Sequence, residues 1–266
     1  MTTETIPVEP RRTGPSLSVE RPFPGLRPFA FADHEFFFGR EDQSFELYRR
    51  LDRGRFIAVV GSSGSGKSSL VRAGLLPLLA EEAAEPARRS WRWMEMSPGD
   101  APIANLAVAL AGIAPNIEDE AAKAGRRERF AFTLRQSRFG IAEVLNELRE
   151  TASGRLLLLV DQFEELFRFT AAGANQRRDR AAAAAWRSEA TQFVQLLLQA
   201  SRDPAHRLHV LLTMRSDFIG DCARFSGLPE AVSANQFLVP ALSRDQLEAV
   251  IRHPLQKAKQ QSRQCS

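Results

Sequence analysis

The sequence has few cysteines and no apolar run that approaches the length of a membrane span. Only Cys222 and Cys265 occur among 266 residues, which is too few for the disulfide framework typical of small secreted domains. Crossing a bilayer takes ~18–20 consecutive apolar residues, and the N-terminal segment has no apolar stretch of the kind found in a secretory signal. These absences exclude a disulfide scaffold and a transmembrane chain, and they predict a cytoplasmic protein without a membrane partner.

A strong charge of one sign is also missing. The chain has 36 basic and 32 acidic residues, a net charge of +4 at pH 7. The basic clusters at 126–129 (RRER) and 177–180 (RRDR) are each interrupted by an acid, as is usual on a solvated helix face. A nucleic-acid surface requires basic residues gathered on one face, so we expect no nucleic-acid partner.

The composition is that of an ordinary globular protein, 44% hydrophobic and 26% charged, and its pattern divides the chain into three parts. Residues 1–20 are polar and contain three prolines, which predicts a disordered tail. Residues 21–242 are predicted to form the folded core, and residues 243–266 a C-terminal helix with a polar tail. The core begins with residues 21–41, the aromatic strap, whose prolines oppose a helix and whose phenylalanines are predicted to hold it across the domain.

Five segments with strand patterns, most of them apolar runs and one an alternation of large apolar and polar residues, alternate with helical patterns. The helical patterns cover 67–79, 141–148 and 181–201, where apolar residues recur every three or four positions. This alternation predicts βαβ units and therefore an α/β fold with a parallel sheet. Such sheets bind ligands at the carboxyl ends of their strands. The predicted strands are Arg55–Val60, Trp91–Met96, Leu156–Val160, Leu208–Thr213 and Gln236–Val239.

The segment after the first strand, GSSGSGKS at 61–68, matches the phosphate-binding pattern of a glycine-rich loop that leads into a helix. Glycines let the backbone wrap a phosphate closely, its N–H groups form an anion nest, and the helix N-terminus adds a positive end. Lys67 would reach the β- and γ-phosphates, and the Ser68 hydroxyl would bind Mg²⁺. A flexible Gly/Ser turn is the alternative. The predicted nucleotide-binding residues here are Gly61, Ser62, Ser63, Gly64, Ser65, Gly66, Lys67, Ser68 and Ser69.

The third predicted strand ends in a cluster of acids, DQFEE at 161–165. Asp161 is placed to be the second Mg²⁺ ligand, usually through water. Glu164 or Glu165 would orient or deprotonate the water that attacks the γ-phosphate. On a helix the two glutamates point about 100° apart, so only one can face the site, and we expect Glu164. Alternatively, Asp161 caps a helix whose first turn favours the two glutamates.

Two further positions are candidates for nucleotide contacts. Arg215 follows the fourth strand, at the sheet edge where a γ-phosphate would lie, and its guanidinium could sense or stabilise that phosphate. A salt bridge to Asp217, or to the acidic turn at 161–165, is its alternative role. Gly39 and Arg40, at the end of the aromatic strap, are close enough in sequence to the loop to flank a base or ribose, and a cap on the sheet edge is an equal alternative.

Taken in order, these motifs closely resemble the STAND class of P-loop NTPases, specifically the bacterial novel STAND NTPase domain that is often joined to β-propeller repeats. The resemblance covers residues 21–254 and is carried by PFPGLRPF, FFFGRE, AVVGSSGSGKSSLVRAGLLPLL, LLLLVDQFEELF and VLLTMRSDF. It implies a three-layer P-loop fold with helices on both faces of a five-stranded parallel sheet in the order 5-1-4-3-2. It also implies ATP and Mg²⁺ as ligands, Gly39 and Arg40 beside the nucleotide, and Arg215 as a sensor arginine.

The C-terminal part departs from the pattern of such proteins, which continue into a helical lid, a winged helix and sensor repeats. Residues 243–266 are expected to form the truncated start of the lid. The helix begins with a capping box of Ser243 and Gln246 and a staple of Leu242 and Leu247. Pro254 is predicted to interrupt it, and no periodic repeat is visible.

The resemblance implies an ATP-binding signalling switch with slow Mg²⁺-dependent hydrolysis and with protein partners or self-association. The resemblance favours ATP over GTP, which the residues alone leave open; no NKxD-type guanine motif is visible. A non-catalytic nucleotide-binding interaction module and an AAA+-like motor are the alternatives, although a motor needs a lid and an arginine finger between subunits. The LSGGQ signature of transporter ATPases is absent, and no acceptor pocket of a small-molecule kinase is recognisable.

Overall fold

The computed structural model of the chain describes residues 17, 21–84, 91–114, 119–148, 154–168 and 180–264. The predicted tail, apart from Leu17, lies outside this part of the chain, as do residues 177–179 of the second basic cluster and Cys265. None of the helices in the described ranges combines the length and the apolar character that crossing a membrane would require.

A sheet of five parallel strands forms the centre of the molecule. The strands are β1 (Phe56–Gly61), β2 (Trp91–Met96), β3 (Arg155–Val160), β4 (Leu208–Arg215) and β5 (Gln236–Leu238). Their order is β2-β3-β4-β1-β5, which is the expected order read from the other edge and confirms the α/β fold class. Gly61 lies opposite Arg215 in the β1–β4 register, so the segments that follow these two strands begin side by side.

Helices cover both faces of this sheet, as a three-layer fold requires. One face carries α1 (Glu41–Arg53) and the P-loop helix, 67–84, which consists of α2 (Lys67–Ser69), a π-helical segment (Leu70–Leu75) and α3 (Leu76–Ala84). The other face carries α4 (Pro102–Gly112), α5 (Glu120–Gln136), α6 (Gly140–Glu147), α7 (Arg180–Arg202) and α8 (Leu228–Ala234). The chain also forms two 3₁₀ helices, Phe31–Phe36 and Ser216–Arg224, and the C-terminal helix α9 (Arg244–Gln264).

Two hydrophobic cores hold these layers together, one on each face of the sheet. Successive strand residues point to opposite faces. Ile57 and Val59 therefore join α1 and the P-loop helix in one core, while Ala58 and Val60 join α4 to α8 in the other. The residues of β3 contribute to both cores in the same alternation, which explains why the sequence of this strand is a continuous apolar run.

The aromatic strap is held by the second half of its residues. Residues 21–30 lack helix and form no extended strand. Phe31 packs on Trp93 with ring centroids 5.4 Å apart, and Phe36 is buried. Phe23, in contrast, is 44% exposed. The phenylalanines thus fix the part of the strap that leads into α1, and the first turn of the strap lies on the surface.

The C-terminal helix α9 begins as predicted but continues past its proline. The Ser243 N–H donates to Gln246 Oε1 at 2.9 Å, and the Gln246 N–H donates to Ser243 Oγ at 3.2 Å, which confirms the capping box. The predicted interruption at Pro254 is wrong, because α9 extends to Gln264. Proline removes one helical hydrogen bond, and the burial of Pro254 and Ala258 against the rest of the molecule offsets that loss.

Candidate functional site

The loop between β1 and the P-loop helix has a backbone that requires glycine. Gly64 and Gly66 have φ of +74° and +86°, in the left-handed region that favours glycine. A Cβ on Gly61 would lie 2.6 Å from Ser65 Oγ, closer than a side chain can approach. The residue types of the phosphate-binding motif therefore match the conformation that the chain adopts, and residues 61–69 lie where the sequence analysis placed them.

The Lys67 side chain folds back over this loop. Its Nζ donates to the carbonyl oxygens of Gly61 and Ser62, at 3.1 and 2.8 Å, and the residue is buried. Burial lowers the pKa of Lys67 below that of an ordinary lysine, while the charges of Glu164 and Asp161 act in the opposite direction. A buried ammonium bonded to neutral carbonyls favours the entry of an anion into the loop.

Asp161 is the most connected side chain of the site. It is 1% exposed, and its Oδ1 accepts from Ser68 Oγ at 2.7 Å and from Thr213 Oγ1 at 2.5 Å. Its Oδ2 accepts from Arg72 Nη2 at 2.8 Å. The structure thus brings Asp161 and Ser68 together, as expected for two ligands of one cation, and these side-chain bonds do not resemble those of a helix cap.

These two residues fit Mg²⁺ by the chemistry of their donors. The described residues contain no group of three or more His, Cys, Asp or Glu side chains that could hold a metal ion. Mg²⁺ does not need such a group, because it commonly binds one or two protein oxygens and completes its shell with waters and substrate phosphates. The hydroxyl of Ser68 and the carboxylate of Asp161, in contact at 2.7 Å, form a set of this kind.

The two candidate glutamates have different partners. Glu164 is 6% exposed, and its Oε2 has no hydrogen-bond partner within the described part of the chain. The Oε2 of Glu165 accepts from the Gly99 N–H at 2.9 Å. The chain turns just before them at Gln162, whose φ of +56° is unusual for a residue other than glycine. Of the two, Glu164 is the glutamate with a buried oxygen that lacks a partner among the described residues, and its role as the residue that acts on water stays a prediction.

Arg215 lies at the end of β4 but makes the ion pair that was its alternative role. Its Nε and Nη2 donate to the two oxygens of Asp217 at 3.0 and 2.6 Å. The hydrogen bond to Asp217 raises the pKa of Arg215. The charge of Arg215 also acts to lower the pKa of Lys67, and the charge of Glu164 acts to raise the pKa of Arg215. The arginine thus belongs electrostatically to the site while its side chain is paired beside it.

Gly39 and Arg40 connect the strap to the loop and to α9. A Cβ on Gly39 would lie 2.7 Å from the Gln246 carbonyl oxygen, and its φ is +77°. Arg40 is buried, and its guanidinium donates to the carbonyl oxygens of Pro240 at 2.7 Å and Ser65 at 3.3 Å. Burial lowers the pKa of Arg40. Both residues therefore lie next to the phosphate-binding loop, and their contact with a base or ribose stays a prediction.

A cleft of about 520 Å³ opens between these three segments. The strap contributes Phe37, Phe38 and Arg40, the loop contributes residues 62–66 in part, and α9 contributes apolar side chains that include Val250. The cleft is continuous with the loop that holds Lys67, and its walls are mainly aromatic and aliphatic. A planar, apolar-faced group attached to a phosphate chain fits this combination of surfaces.

Sequence reasoning missed Arg72 and Thr213, both of which bind Asp161. Arg72 lies four residues after Ser68, so the two side chains share one face of the P-loop helix. Thr213 lies near the carboxyl end of β4, where site residues of parallel sheets are found. The sequence therefore places both residues near the site, but their residue types alone do not indicate that they bind Asp161.

The chain is similar to known P-loop ATPases. A family model described as Novel STAND NTPase 1 matches residues 22–264, and comparison with curated proteins gives no match. The structure of a Walker-type ATPase of Pyrococcus abyssi is 17% identical, with a TM-score of 0.50, over 88% of this chain and 62% of that one. The ORC2 protein of Aeropyrum pernix, solved as ADPNP–ADP complexes, is 13% identical, with a TM-score of 0.47, over 94% of this chain and 55% of that one.

The chain thus spans less than two thirds of the length of either solved structure. At such low identity the likeness to the Pyrococcus ATPase supports the fold alone. The family match extends over almost the whole chain and includes every candidate site residue.

Proposed function

The chain belongs to the Novel STAND NTPase 1 family, and we propose on that premise that it is an ATP-driven signalling switch with slow, Mg²⁺-dependent hydrolysis. Its fold is that of a nucleotide-binding P-loop NTPase. The observation that carries the proposal is the buried Glu164 carboxylate, whose Oε2 has no partner among the described residues while its charge acts on Lys67. A buried acid with a free oxygen beside a phosphate-binding lysine suits the activation of water.

The loop and its lysine would bind the phosphates of ATP. Lys67 would exchange its bonds to two backbone carbonyls for charge-assisted bonds to phosphate oxygens, which are roughly twice as strong as neutral ones. Ser68 and Asp161 would hold Mg²⁺, which when bound supplies positive charge that offsets the charge of the phosphates. The base and ribose would occupy the adjoining cleft, where Phe38 and Val250 offer apolar surface.

Glu164 would act as the general base for hydrolysis. It would accept a proton from water as the water oxygen bonds to the γ-phosphorus and the bond to the bridging oxygen breaks, which leaves ADP and phosphate. Glu165 is less suited, because it already accepts from the Gly99 N–H. We expect slow turnover because Arg215 must leave its ion pair with Asp217 before it can stabilise the phosphate.

The contacts of Arg40 support a switch rather than simple turnover. This side chain joins the loop, at Ser65, to the segment before α9, at Pro240. A nucleotide that rearranges the loop would therefore change the contacts of α9. On α9 the apolar side chains of Leu247, Ile251 and Leu255 follow at one-turn spacing and are exposed, which supports a protein partner or self-association.

Nucleotide binding and phosphate release measured on the same preparations test the proposal. We expect the chain to bind ATP with Mg²⁺ and to release phosphate far more slowly than the ~1–10³ s⁻¹ typical of enzymes. Lys67→Ala should abolish or severely weaken nucleotide binding, measured by calorimetry. Lys123→Ala is the matched control, because that lysine pairs with Glu120 on an exposed part of α5. Intact binding without turnover would favour a non-catalytic module, and rapid turnover would favour a motor.

A further inference from the structure

Arg72 lies between two carboxylates that converge at the tips of β2 and β3. Its Nε donates to Glu95 Oε1 at 2.7 Å, and its Nη2 donates both to the same Glu95 oxygen and to Asp161 Oδ2, the latter at 2.8 Å. The side chains of Arg72 and Glu95 are 18% and 13% exposed, and that of Asp161 is 1% exposed. One guanidinium thus bridges two largely buried acids.

The fold fixes all three residues on rigid elements. Glu95 is in β2, and the Asp161 N–H donates to the carbonyl oxygen of Met96 at the end of that strand, at 2.8 Å. Ser68 and Arg72 lie on one face of the P-loop helix, where Ser68 binds Oδ1 of Asp161 and Arg72 binds Oδ2. The helix that follows the phosphate-binding loop therefore holds both oxygens of the same carboxylate.

Without the positive charge of Arg72, the negative charges of Glu95 and Asp161 would lack a compensating partner. Glu95 Oε2 is buried and has no hydrogen-bond partner in the described ranges. Burial acts to lower the pKa of Arg72, but the hydrogen bond to Glu95 and the charge of Asp161 outweigh it and raise the pKa. If Arg72 were neutral, two acids would face each other with one oxygen already unpaired, which is an arrangement that attracts a divalent cation.

We infer that Arg72 is a positioning residue that holds the Asp161 carboxylate and keeps divalent cations away from the Asp161–Glu95 pair until a nucleotide supplies phosphate ligands. The inference rests on the proposed function, because it concerns the cation site formed by Ser68 and Asp161. The fixed positive charge of Arg72 repels a cation that approaches Asp161 alone. The negative charge of the phosphate oxygens of a bound nucleotide overcomes this repulsion. Cation binding therefore depends on nucleotide.

Binding of Mn²⁺ to the nucleotide-free protein, followed by electron paramagnetic resonance, tests the inference without measuring activity. Arg72→Gln should bind Mn²⁺ about tenfold more tightly than the unchanged chain, since a unit charge a few ångströms away is removed. Arg72→Lys keeps the charge and should bind Mn²⁺ as weakly as the unchanged chain. The double variant Arg72→Gln/Glu95→Gln restores the net charge and should return most of the way to the original affinity.

The positioning role has its own readout. With ATP and Mg²⁺ both Arg72→Gln and Arg72→Lys should lower kcat about tenfold at nearly unchanged KM, because a lysine cannot bridge two carboxylates as the planar fork does. Equal Mn²⁺ affinities of Arg72→Gln and the unchanged chain, in samples with the same thermal unfolding midpoint, would overturn the inference. A KM effect with kcat unchanged would overturn the positioning part.

Two controls separate this inference from the proposed function. Failure of the unchanged chain to bind Mn²⁺ even with ATP would refute the cation site itself, whatever Arg72 does. If Arg72→Gln does not unfold cooperatively, Glu95→Gln provides a second test, because it removes a negative charge from the group instead of the positive charge. Arg72 then faces a single acid, and nucleotide-free Mn²⁺ binding should weaken about threefold; an unchanged or tighter affinity would contradict the inference.

Discussion

At the scale of single residues, the surroundings of two adjacent glutamates decide which of them can act on water. Glu164 is buried with an oxygen that has no partner in the described part of the chain, whereas Glu165 accepts from the Gly99 N–H. The left-handed turn at Gln162 is held by its own N–H, which donates to Thr213 Oγ1 at 3.0 Å. The backbone before the two glutamates is thus fixed against β4, and their different orientations are part of the fold.

Glu164→Gln should preserve ATP binding and slow hydrolysis by about 10²–10⁴-fold, because the amide keeps the shape of the side chain but cannot accept the proton. Glu165→Gln is the matched control, and it should retain turnover within about tenfold because its amide oxygen can still accept from Gly99. Single-turnover phosphate release with calorimetric affinities measures both. Loss of turnover in Glu165→Gln alone would show that the roles are reversed.

Arg215→Ala should reduce the preference for ATP over ADP more than it reduces the affinity for ADP. The register places Arg215 opposite Gly61, at the start of the phosphate-binding loop, and the γ-phosphate distinguishes the two nucleotides. Asp217→Asn should have the opposite effect, because it releases the guanidinium from its ion pair. Competition binding of ATP and ADP provides the measurement. Equal losses for both nucleotides in Arg215→Ala would assign the arginine a structural role.

The residues of the site that sequence could predict are those in local motifs. Ser68 and Asp161 each follow a strand in a recognisable string of residues, and the structure brings them into contact. Arg72 and Thr213 reach Asp161 across 89 and 52 residues of chain. Their role depends on which strands are neighbours, and an arginine on a helix or a threonine in a strand has many other common uses.

At the scale of elements, β1, β3 and β4 were predictable because a strand buried on both faces is a largely continuous apolar run, and β2 because it alternates large apolar with polar residues. Each observed strand agrees with its prediction to within two residues. The helix at 120–136 was not predicted, because few of its residues are buried and its sequence therefore shows little apolar periodicity. The continuation of α9 past Pro254 depends on packing against the strap, which local rules for proline do not include.

Gly39→Ala should destabilise the fold by at least about 2 kcal/mol, because its left-handed φ disfavours a side chain and the new Cβ would meet the Gln246 carbonyl. Gly125→Ala is the matched control. Gly125 lies in α5 with nothing within 4 Å of an added Cβ, so alanine should stabilise by about 0.5–1 kcal/mol. Urea unfolding gives both values, and a neutral Gly39→Ala would contradict the close approach of strap and α9.

At the scale of the whole molecule, one chain of contacts runs from the phosphate-binding loop to the C-terminal helix. Arg40 bonds to the Ser65 carbonyl in the loop and to the Pro240 carbonyl before α9. Gly39, its neighbour, allows the strap to approach Gln246 on α9. The aromatic strap therefore lies between the nucleotide loop and α9, and a change in the loop has a direct route to the helix that carries the exposed apolar side chains.

Saturating ATP should slow amide hydrogen exchange both in the loop at 61–66 and in α9, because a ligand that fixes the loop also stabilises the helix joined to it. Arg40→Ala should keep the protection of the loop and lose that of α9, since its two bonds are the link. Arg50→Ala is the matched control. Arg50 donates to the Gln236 carbonyl at 2.9 Å and forms no hydrogen bond with the loop in the part of the chain that the structure describes, so both protections should remain. Full protection of α9 in Arg40→Ala would show that nucleotide and helix are coupled by another route, and no protection of α9 in the unchanged chain would contradict the switch.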